Sequence, residues 1–312
     1  MPERILVIGS GAVGAVYAQA LVNAGSLVTF LVRDPASPNA SMPRTLFRYG
    51  LLGGKTRQQQ QYLRVVSQAT DHYDQVWLCT PSSALKSDWL PGQLAKIGAR
   101  TPLIAWTPDI SDLDLLRQWH PGPISQGLIG LISFQCPLPG TSGPEGIGYL
   151  APPGSGVLDD DEHGRQAAAL LRRGGVPANT RDDLPWWEAR MACVNICAIA
   201  ALEQEDWSLA GLRRSSRLTL AARAGKEAAA GCAAYLGVPT GLFPMVPTRL
   251  IIKTALLLGP RVMPFPLETY LRYHFTKVGD QTRQIIDGWI EQCRTHQLPH
   301  DNLTALRAGL TD

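Results

Sequence analysis

The first part of the chain alternates short apolar runs with glycine-rich breaks. Ile5–Ile8 is a run of apolar residues followed by glycine, which is typical of a buried parallel strand that enters a tight turn. Residues 12–24 then carry apolar side chains at helical spacing and stop at Gly25, and a second apolar run covers residues 27–32. The pattern predicts a strand, a glycine turn, a helix and a second strand.

Two later runs, residues 73–79 and 102–106, predict further strands of the same sheet. Each is followed by a Thr-Pro pair. Because ligands bind outside the carboxyl ends of strands in open α/β sheets, we expect the tips after Ile8, Cys79 and Trp106 to border one crevice.

Weaker signals lie between and after these strands. Gly53-Gly54 predicts a hairpin turn, and residues 58–66 predict a strand. The runs 127–134 and 146–150 alternate with Pro/Gly turns and predict antiparallel strands, and residues 159–174 predict a helix.

From about residue 181 the pattern becomes helical. Residues 186–202 are apolar on nearly all faces, which predicts a buried helix. Residues 213–236 predict another long helix that ends at Gly237, and residues 267–296 supply one or two more. We therefore predict two domains, residues 1–180 with a parallel sheet and residues 181–312 with helices only.

The glycine turn has the spacing G-x-G-x-x-G of dinucleotide-binding turns, in the strand–turn–helix context that makes this motif specific. Gly9 permits the sharp exit from the strand, Gly11 lets a pyrophosphate approach the backbone, and Gly14 lets the helix pack closely. The free N–H groups and positive dipole end of the helix favour phosphates. The first domain is thus predicted to be of the Rossmann type, with Gly9, Ser10, Gly11, Ala12, Val13 and Gly14 against the cofactor.

The residue after the second strand selects between NAD and NADP. An acid there would bind the ribose 2′-hydroxyl, whereas the planar guanidinium of Arg33 suits a 2′-phosphate, so we predict NADP(H). Asp34 beside it could reach the ribose if the register shifted by one residue. Thr80 and Pro81, at the tip of a neighbouring strand, complete the predicted cofactor site.

Composition narrows the classes of partner. The 312 residues carry a net charge of +3 and no block of like charge, so neither nucleic acid nor a membrane surface is indicated. The late apolar run Leu250–Leu258 is interrupted by Lys253 and is too short to span a bilayer. No secretory signal precedes Ile5, and we expect a cytoplasmic protein.

The six cysteines form no C-x-x-C pair and lie mostly in apolar runs, which indicates buried free thiols. Cys293, His296 and His300 have a faintly zinc-like spacing, but Pro299 separates the histidines and no fourth ligand is near. We predict no metal site.

The order of these features resembles the ketopantoate reductases (2-dehydropantoate 2-reductases) over nearly the whole chain. The resemblance rests on the turn at residues 9–14, on Arg33, on the Trp-bearing helix, on Glu227 followed by Gly237, and on the closing segment 294–298. It implies that NADPH donates a hydride to a 2-keto acid, in a cleft between the two domains.

The residues that perform this chemistry in the family do not carry over. The family has a Lys two residues after the Trp as general acid, and Asn residues one and two turns on. With Trp187 in the Trp place these positions hold Ala189, Cys193 and Cys197, and with Trp186 they hold Glu188, Ala192 and Ile196. The family's Gln-Asn-Gly turn is replaced by Thr107-Pro108-Asp109, and a Lys at the strand tip by Thr80. The late substrate-binding Glu falls near Gln281 or Thr282.

Reduction of a carbonyl builds negative charge on oxygen and needs a proton donor or a fixed cation. His274, Lys277, Val278 and Gln281 are spaced to share one face of a helix, so His274 or Lys277 is a candidate acid and Gln281 a substrate ligand. The alternative is a solvated helix face. Arg190 could bind a carboxylate, although a surface or interface salt bridge is the favoured explanation for it.

Two further residues are weaker substrate-binding candidates. Asn195 lies on an apolar helix and needs a partner if buried, so satisfaction within the core competes with a role in binding. Asp109 follows a strand and could meet a cationic substrate group, or simply form a turn.

These observations predict an NADPH-dependent oxidoreductase of ketopantoate-reductase type that acts on a small-molecule 2-keto acid or a related carbonyl. The alternatives are a reductase of a different carbonyl or imine, with His274 or Lys277 as acid, and a non-catalytic NADP(H)-binding protein. The second domain would bind substrate and support dimerisation, because the apolar segment 242–267 could cover a second subunit as easily as its own core.

Overall fold

The computed structural model describes residues 1–35, 43–51, 54–61, 63–70, 72–85, 87–106 and 112–310. The chain divides into two compact units. Unit 1 comprises residues 1–137 and 141–184, and unit 2 comprises residues 138–140 and 185–312. The domain boundary predicted near residue 180 falls in the last strand of unit 1, shortly before this division.

Unit 1 contains all the strands and five of the helices of the described ranges. The strands are β1 Arg4–Ile8, β2 Leu27–Leu31, β3 Thr45–Tyr49, β4 Lys55–Gln59, β5 Arg64–Val66, β6 Gln75–Leu78, β7 Leu103–Ala105, β8 Ile124–Ile129, β9 Ile132–Cys136, β10 Gly146–Leu150, β11 Gly156–Asp159 and β12 Ala178–Arg181. The helices are α1 Ala12–Asn23, α2 Ser82–Leu85, α3 Trp89–Leu94, α4 Asp112–Trp119 and α5 Glu162–Arg173.

Eight strands form the main sheet in the order β12-β11-β8-β7-β6-β1-β2-β5. β1 pairs in parallel with β2 on one side and β6 on the other, and β7 pairs in parallel with β6. Side chains alternate across β1: Ile5 and Val7 belong to the core on the α1 face, and Leu6 and Ile8 to the core on the opposite face. A strand covered on both faces must be apolar throughout, as the sequence pattern indicated.

The remaining strands form a second sheet, β4-β3-β10-β9. β3 and β4 are an antiparallel hairpin, and Gly54 has the positive φ of +90° that glycine adopts freely. The single strand predicted at residues 58–66 is wrong, because this stretch is split between β4 of this sheet and β5 of the main sheet. The predicted antiparallel pairing is confirmed in the pairs β8–β11 and β9–β10, but the run 127–134 is divided between β8 of the main sheet and β9 of the second sheet.

The helix predicted to start at Asp159 begins later. Asp159 belongs to β11, and the Asp161 carboxylate caps α5 by accepting a hydrogen bond from the Gly164 amide at 2.6 Å.

In the described residues of unit 2 every element of regular secondary structure is a helix. This confirms the predicted fold class. Its helices are α6 Leu184–Glu203, α7 Leu209–Arg214, α8 Arg217–Leu236, α9 Thr248–Val262, α10 Leu267–Lys277, α11 Gly279–Thr295 and α12 Asp301–Ala308, with a 3-10 turn at Phe243–Met245. No single helix of the described ranges is long and apolar enough to cross a membrane; α9 and α10 meet that criterion only as a pair bent by 114°.

The long helix predicted over residues 213–236 is wrong at its start. It is two helices, α7 and α8, and Ser215 between them has extended backbone with ψ of 151°. The Ser215 hydroxyl accepts a hydrogen bond from the Arg217 amide at 3.1 Å, a local bond that competes with helix continuation. The predicted stop is confirmed, since Gly237 is left-handed with φ of +66°.

Glu227 of α8 ties the last helix to the bundle. Its carboxylate accepts hydrogen bonds from the Leu303 amide at 2.8 Å, the Asn302 amide at 3.2 Å and the Asn302 side chain. These amides are in the first turn of α12, where the helix has no acceptor of its own for them. Glu227 thus serves as a cap supplied from another helix.

We predict that Glu227→Ala lowers the free energy of unfolding by about 1.5–3 kcal/mol, because charge-assisted bonds to orphan amides are lost. The measurement is chemical denaturation followed by circular dichroism. Glu291→Ala on α11 is the matched control. Its salt-bridge partner Arg294 lies 3.9 Å away and both side chains are exposed, so this ion pair contributes little to stability. Equal effects of the two substitutions would contradict the capping role.

Candidate functional site

The glycine turn between β1 and α1 is built by close backbone contacts. Gly9 has φ of +107°, and a Cβ on it would lie 2.5 Å from the Cys79 carbonyl oxygen. A Cβ on Gly14 would overlap the carbonyl oxygen of Gly9. Both positions therefore require glycine for steric reasons, as the motif predicted.

Gly11 differs from its two neighbours. A Cβ built on Gly11 would have no atom within 4 Å. Gly11 is the N-cap of α1 and provides no side-chain cap, and the first turn of this helix has no acidic residue. The turn therefore leaves open space beside a positively polarised helix end, which is the arrangement that receives phosphate groups.

The strand tips beside this turn are aligned. Ile8 pairs with Leu78, and Leu78 pairs with Ala105, so β1, β6 and β7 end at the same edge of the sheet. Thr80 follows β6, and its Cγ2 would lie 3.0 Å from a Cβ on Gly9. The buried Thr80 hydroxyl has no hydrogen-bond partner within the described part of the chain. Pro81 is exposed beside it, whereas Asp109 lies outside the described residues.

Arg33 lies at the same edge, just after β2, the parallel neighbour of β1. Its side chain is exposed, and the guanidinium carbon is 5.7 Å from the centre of the Trp89 ring at the start of α3. This distance is within the range of a cation–π contact. Sequence reasoning missed Trp89, because nothing in the spacing of residues 33 and 89 indicates that they meet.

Three residues of α6 that the predicted resemblance, with Trp187 in the Trp place, aligns with the family's catalytic residues are buried. Ala189, Cys193 and Cys197 are almost completely buried in the core of unit 2. The Sγ atoms of Cys193 and Cys232 are 3.9 Å apart, and burial raises the pKa of both α6 thiols. These positions pack the bundle, and none of them carries an ionisable amine.

Two candidates on α6 occupy its more accessible sides. The guanidinium carbon of Arg190 lies 5.3 Å from the centre of the Trp186 ring, one turn earlier. Asn195 is exposed, so the expectation that it finds its partner inside the core is wrong. Water can satisfy this amide without help from the protein.

The predicted face of His274, Lys277 and Gln281 does not exist as one helix face. The helix α10 ends at Lys277, Val278 has the non-helical values φ −115° and ψ 24°, and Gln281 belongs to α11. His274 stacks on Tyr270 with ring centres 5.5 Å apart. Burial and the nearby Lys277 lower the pKa of His274, so this imidazole is neutral at pH 7.

Lys277 instead lines a cavity of about 760 Å³ within unit 2. Two consecutive residues of its wall, Asp206 and Trp207, have positive φ values of 49° and 65°. Such backbone is costly for residues other than glycine and concentrates at functional sites. The cavity is lined by Pro139, Asp206, Trp207, Ser208, Glu268, Thr269, Arg272, Tyr273, Thr276 and Lys277.

The cavity wall carries both signs of charge. Arg272 lies 3.3 Å from the Asp206 carboxylate, and both side chains are exposed. Glu268 is held in place because it accepts a hydrogen bond from the Leu209 amide at 2.8 Å, at the start of α7. Sequence reasoning found Lys277 and missed the other lining residues, because left-handed backbone at Asp206 and Trp207 is not indicated by residue type. Within the described ranges no group of three or more His, Cys, Asp or Glu side chains has a metal-binding arrangement.

Comparison with known proteins adds to this geometry. Residues 5–105 match the family model of the ketopantoate reductases PanE/ApbA. The matched segment contains the glycine turn, Arg33 and the three aligned strand tips, and it confirms the resemblance predicted from the sequence. No curated protein sequence matches the chain.

Solved structures resemble the chain over 98% of its length. A PanE/ApbA family ketopantoate reductase from Ralstonia eutropha JMP134 is 18% identical with a TM-score of 0.68, over 96% of its own chain. A D-mandelate dehydrogenase bound to NADH and anilino(oxo)acetate is 16% identical with a TM-score of 0.73, also over 96%. A dimeric ketopantoate reductase from Staphylococcus aureus is 14% identical with a TM-score of 0.65, over 96%. At these identities the likeness establishes the two-part fold.

We predict that two alanine substitutions in the turn lower the free energy of unfolding by very different amounts. Gly14→Ala places a methyl group on the Gly9 carbonyl and lowers the free energy of unfolding by about 3 kcal/mol or more. Gly11→Ala enters open space with an ordinary φ of −69° and costs less than about 1 kcal/mol. Thermal and chemical denaturation of both variants measure this difference, and similar losses in the two would show that the turn is packed differently.

Proposed function

We propose that the protein is an NADP(H)-dependent oxidoreductase that reduces the carbonyl group of a 2-keto acid or a closely related compound. The observation that carries this proposal is the glycine turn, with its open flank at Gly11 and Arg33 on the adjacent strand. The family match over residues 5–105 supports it. NADPH would supply the hydride.

Different residues of unit 1 would bind different parts of the cofactor. The amide groups at the start of α1, with Gly9, Ser10, Gly11, Ala12, Val13 and Gly14, would bind the pyrophosphate. Arg33 would bind the 2′-phosphate, and its contact with Trp89 limits the directions in which the guanidinium can point. Thr80 and Pro81 would flank the cofactor at the tip of β6, where the unpaired Thr80 hydroxyl gains a partner.

Lys277 is the proton donor that we propose. The developing negative charge on a carbonyl oxygen needs a donor or a cation. The ammonium group of Lys277 supplies both and lines the cavity of about 760 Å³ in unit 2. His274 is less suited because its lowered pKa leaves it uncharged at pH 7. Arg272 beside the cavity, or Arg190 on α6, would bind a substrate carboxylate, with Asn195, Gln281 and Asp109 as further substrate-binding candidates.

A second candidate function is a non-catalytic NADP(H)-binding protein. It is favoured by one observation: Ala189, Cys193 and Cys197 are buried in the core of unit 2, and with Trp187 in the Trp place they would align with the family's Lys and Asn residues. NADPH oxidation with any member of a panel of keto acids and imines decides against it, and an active imine in place of a keto acid would redefine the substrate class.

The proposal also covers the oligomeric state, the partners and the cellular location of the protein. We propose a homodimer that acts on a small-molecule substrate in the cytoplasm, without nucleic acid or membrane partners. Its six cysteines are free thiols, which a reducing compartment preserves.

We expect wild-type protein to bind NADPH more tightly than NADH. Arg33→Ala should weaken NADPH binding by about tenfold to a hundredfold, because a charge-assisted contact to the 2′-phosphate is lost. NADH affinity should stay the same. Isothermal titration with both cofactors measures this, with Arg57→Ala on the exposed strand β4 as control. A wild-type preference for NADH, or no uptake of either cofactor, would overturn the assignment.

Lys277→Met should lower kcat by about a hundredfold to ten-thousandfold, the contribution of a positioned proton donor. His274→Gln should keep kcat within about threefold, because a neutral imidazole is a far weaker proton donor than a charged imidazolium. The assay is NADPH oxidation with the most active carbonyl substrate, and Lys96→Met, an exposed lysine in unit 1, is the control. Full activity of Lys277→Met would reject Lys277 and leave Arg190 and His274 to be tested.

A further inference from the structure

The helix α9 exposes a stripe of large apolar side chains. Leu250 is 60% exposed, Ile251 and Leu258 are each 47% exposed, and Leu257 is 41% exposed. Thr254 lies in the middle of this stripe and is exposed as well. We name these five residues the α9 surface. Contiguous exposed apolar patches of this kind mark interaction sites on soluble proteins.

The opposite side of α9 attaches the helix to unit 2. Thr248 and Ile252 are buried, and the Thr248 hydroxyl donates a hydrogen bond to the Ala222 carbonyl of α8 at 3.2 Å. At 100° per residue, Thr254 points away from the face that holds Ile252 and Leu256. The α9 surface is therefore directed outward by the packing of the helix itself.

The apolar pattern of α9 is symmetric about Thr254. Counting outward in both directions, Ile251 mirrors Leu257, and Leu250 mirrors Leu258. A two-fold axis through one residue of an antiparallel helix pair brings together the residues that mirror each other.

We propose that the α9 surface is the contact between two copies of this chain, with the two α9 helices antiparallel and the two-fold axis at Thr254. Leu250 then meets Leu258 of the second copy, and Ile251 meets Leu257. Thr254 meets its own copy, where a small side chain allows the helices to approach closely. This inference names the surface of the homodimer proposed above and is independent of the cofactor and the substrate.

The basic residues of α9 support a second copy as the partner. The helix contains Arg249, Lys253 and Arg261 and no acid. In the antiparallel register these residues lie level with Gly259, Ala255 and Pro247 of the second copy, so that no cation lies level with a cation. A parallel pair would place each cation beside its own copy and would be destabilised.

The same residues count against a lipid surface. A helix that lies on a membrane keeps its cations on the polar face and its flanks. Arg261 instead falls within the apolar arc, 20° from Thr254 by helical geometry of ~100° per residue. Its guanidinium turns back to donate to the Leu257 carbonyl at 2.6 Å.

The exposed area is sufficient for a stable dimer. Leu242, Met245 and Val262, which are near the α9 surface in sequence, are apolar and have 77%, 79% and 47% of their area exposed. Together with the four large side chains of that surface they leave on the order of 700 Å² of area accessible, close to the ~800 Å² that each partner contributes to a standard interface.

Sedimentation analysis tests the interface. Wild-type protein should have twice the 33.8 kDa mass of one chain at micromolar concentration. Leu258→Glu should weaken dimerisation at least about a hundredfold, because two carboxylates enter an apolar contact. Leu115→Glu, on the exposed side of α4 in unit 1, is the control and should stay dimeric. Equal melting temperatures and equal NADPH affinities of the three proteins show that folding and the cofactor site are unaffected.

The register has a test of its own. Thr254→Cys should be cross-linked to a dimer by a short bis-maleimide, because only an axial residue meets itself, whereas Lys253→Cys and wild type should not. Equal cross-linking at residues 253 and 254 would overturn the register. A monomeric wild type, or a monomer that floats with phosphatidylserine vesicles through Leu258, would overturn the interface.

Discussion

The architecture of unit 1 depends on one backbone contact, the approach of Gly14 to the carbonyl of Gly9 beside the carbonyl of Cys79. A single methyl group at either glycine would collide with an oxygen. Because β1 is paired on both edges and buried on both faces, this turn is attached to a strand that is held on every side. The contact sets where α1 begins, and the pairing of β1 with β2 sets where Arg33 stands. The proposed cofactor site is therefore a consequence of sheet packing.

Close contacts between helices also shape the core of unit 2. Gly225 of α8 would place a Cβ 3.0 Å from the Cys193 carbonyl, and Gly231 would place one 2.7 Å from the Cys293 sulfur. Small residues on α8 thus let α6 and α11 pack closely. In this arrangement Ala189, Cys193 and Cys197 fill the core, and a lysine or asparagine there would need a buried partner. Under the function proposed above, the proton donor would therefore lie elsewhere, and Lys277 in the wall of the cavity is our candidate.

Sequence reasoning succeeded where the signal is local. The buried strand β1, the close packing at Gly9 and Gly14 and the stop at Gly237 each depend on a few neighbouring residues, and the structure shows them. It failed where distant contacts decide. Residues 58–66 divide between two sheets, and Val278 breaks the face that His274 and Gln281 were expected to share. The exposure of Asn195 and the left-handed backbone at Asp206 depend on how the helices pack, which residue type alone does not specify.

Each unit contains buried cysteine thiols whose chemical modification would report that the unit has opened. Cys193, Cys197, Cys232 and Cys293 are shielded between α6, α8 and α11, while Cys79 is shielded beside the glycine turn. Burial raises the pKa of Cys293 to about 11 and raises that of Cys79 further. A thiol reagent therefore modifies these side chains only after the surrounding helices or strands separate. Labelling at Cys79 and at the helical thiols distinguishes a molecule that opens its sheet from one that loosens its bundle.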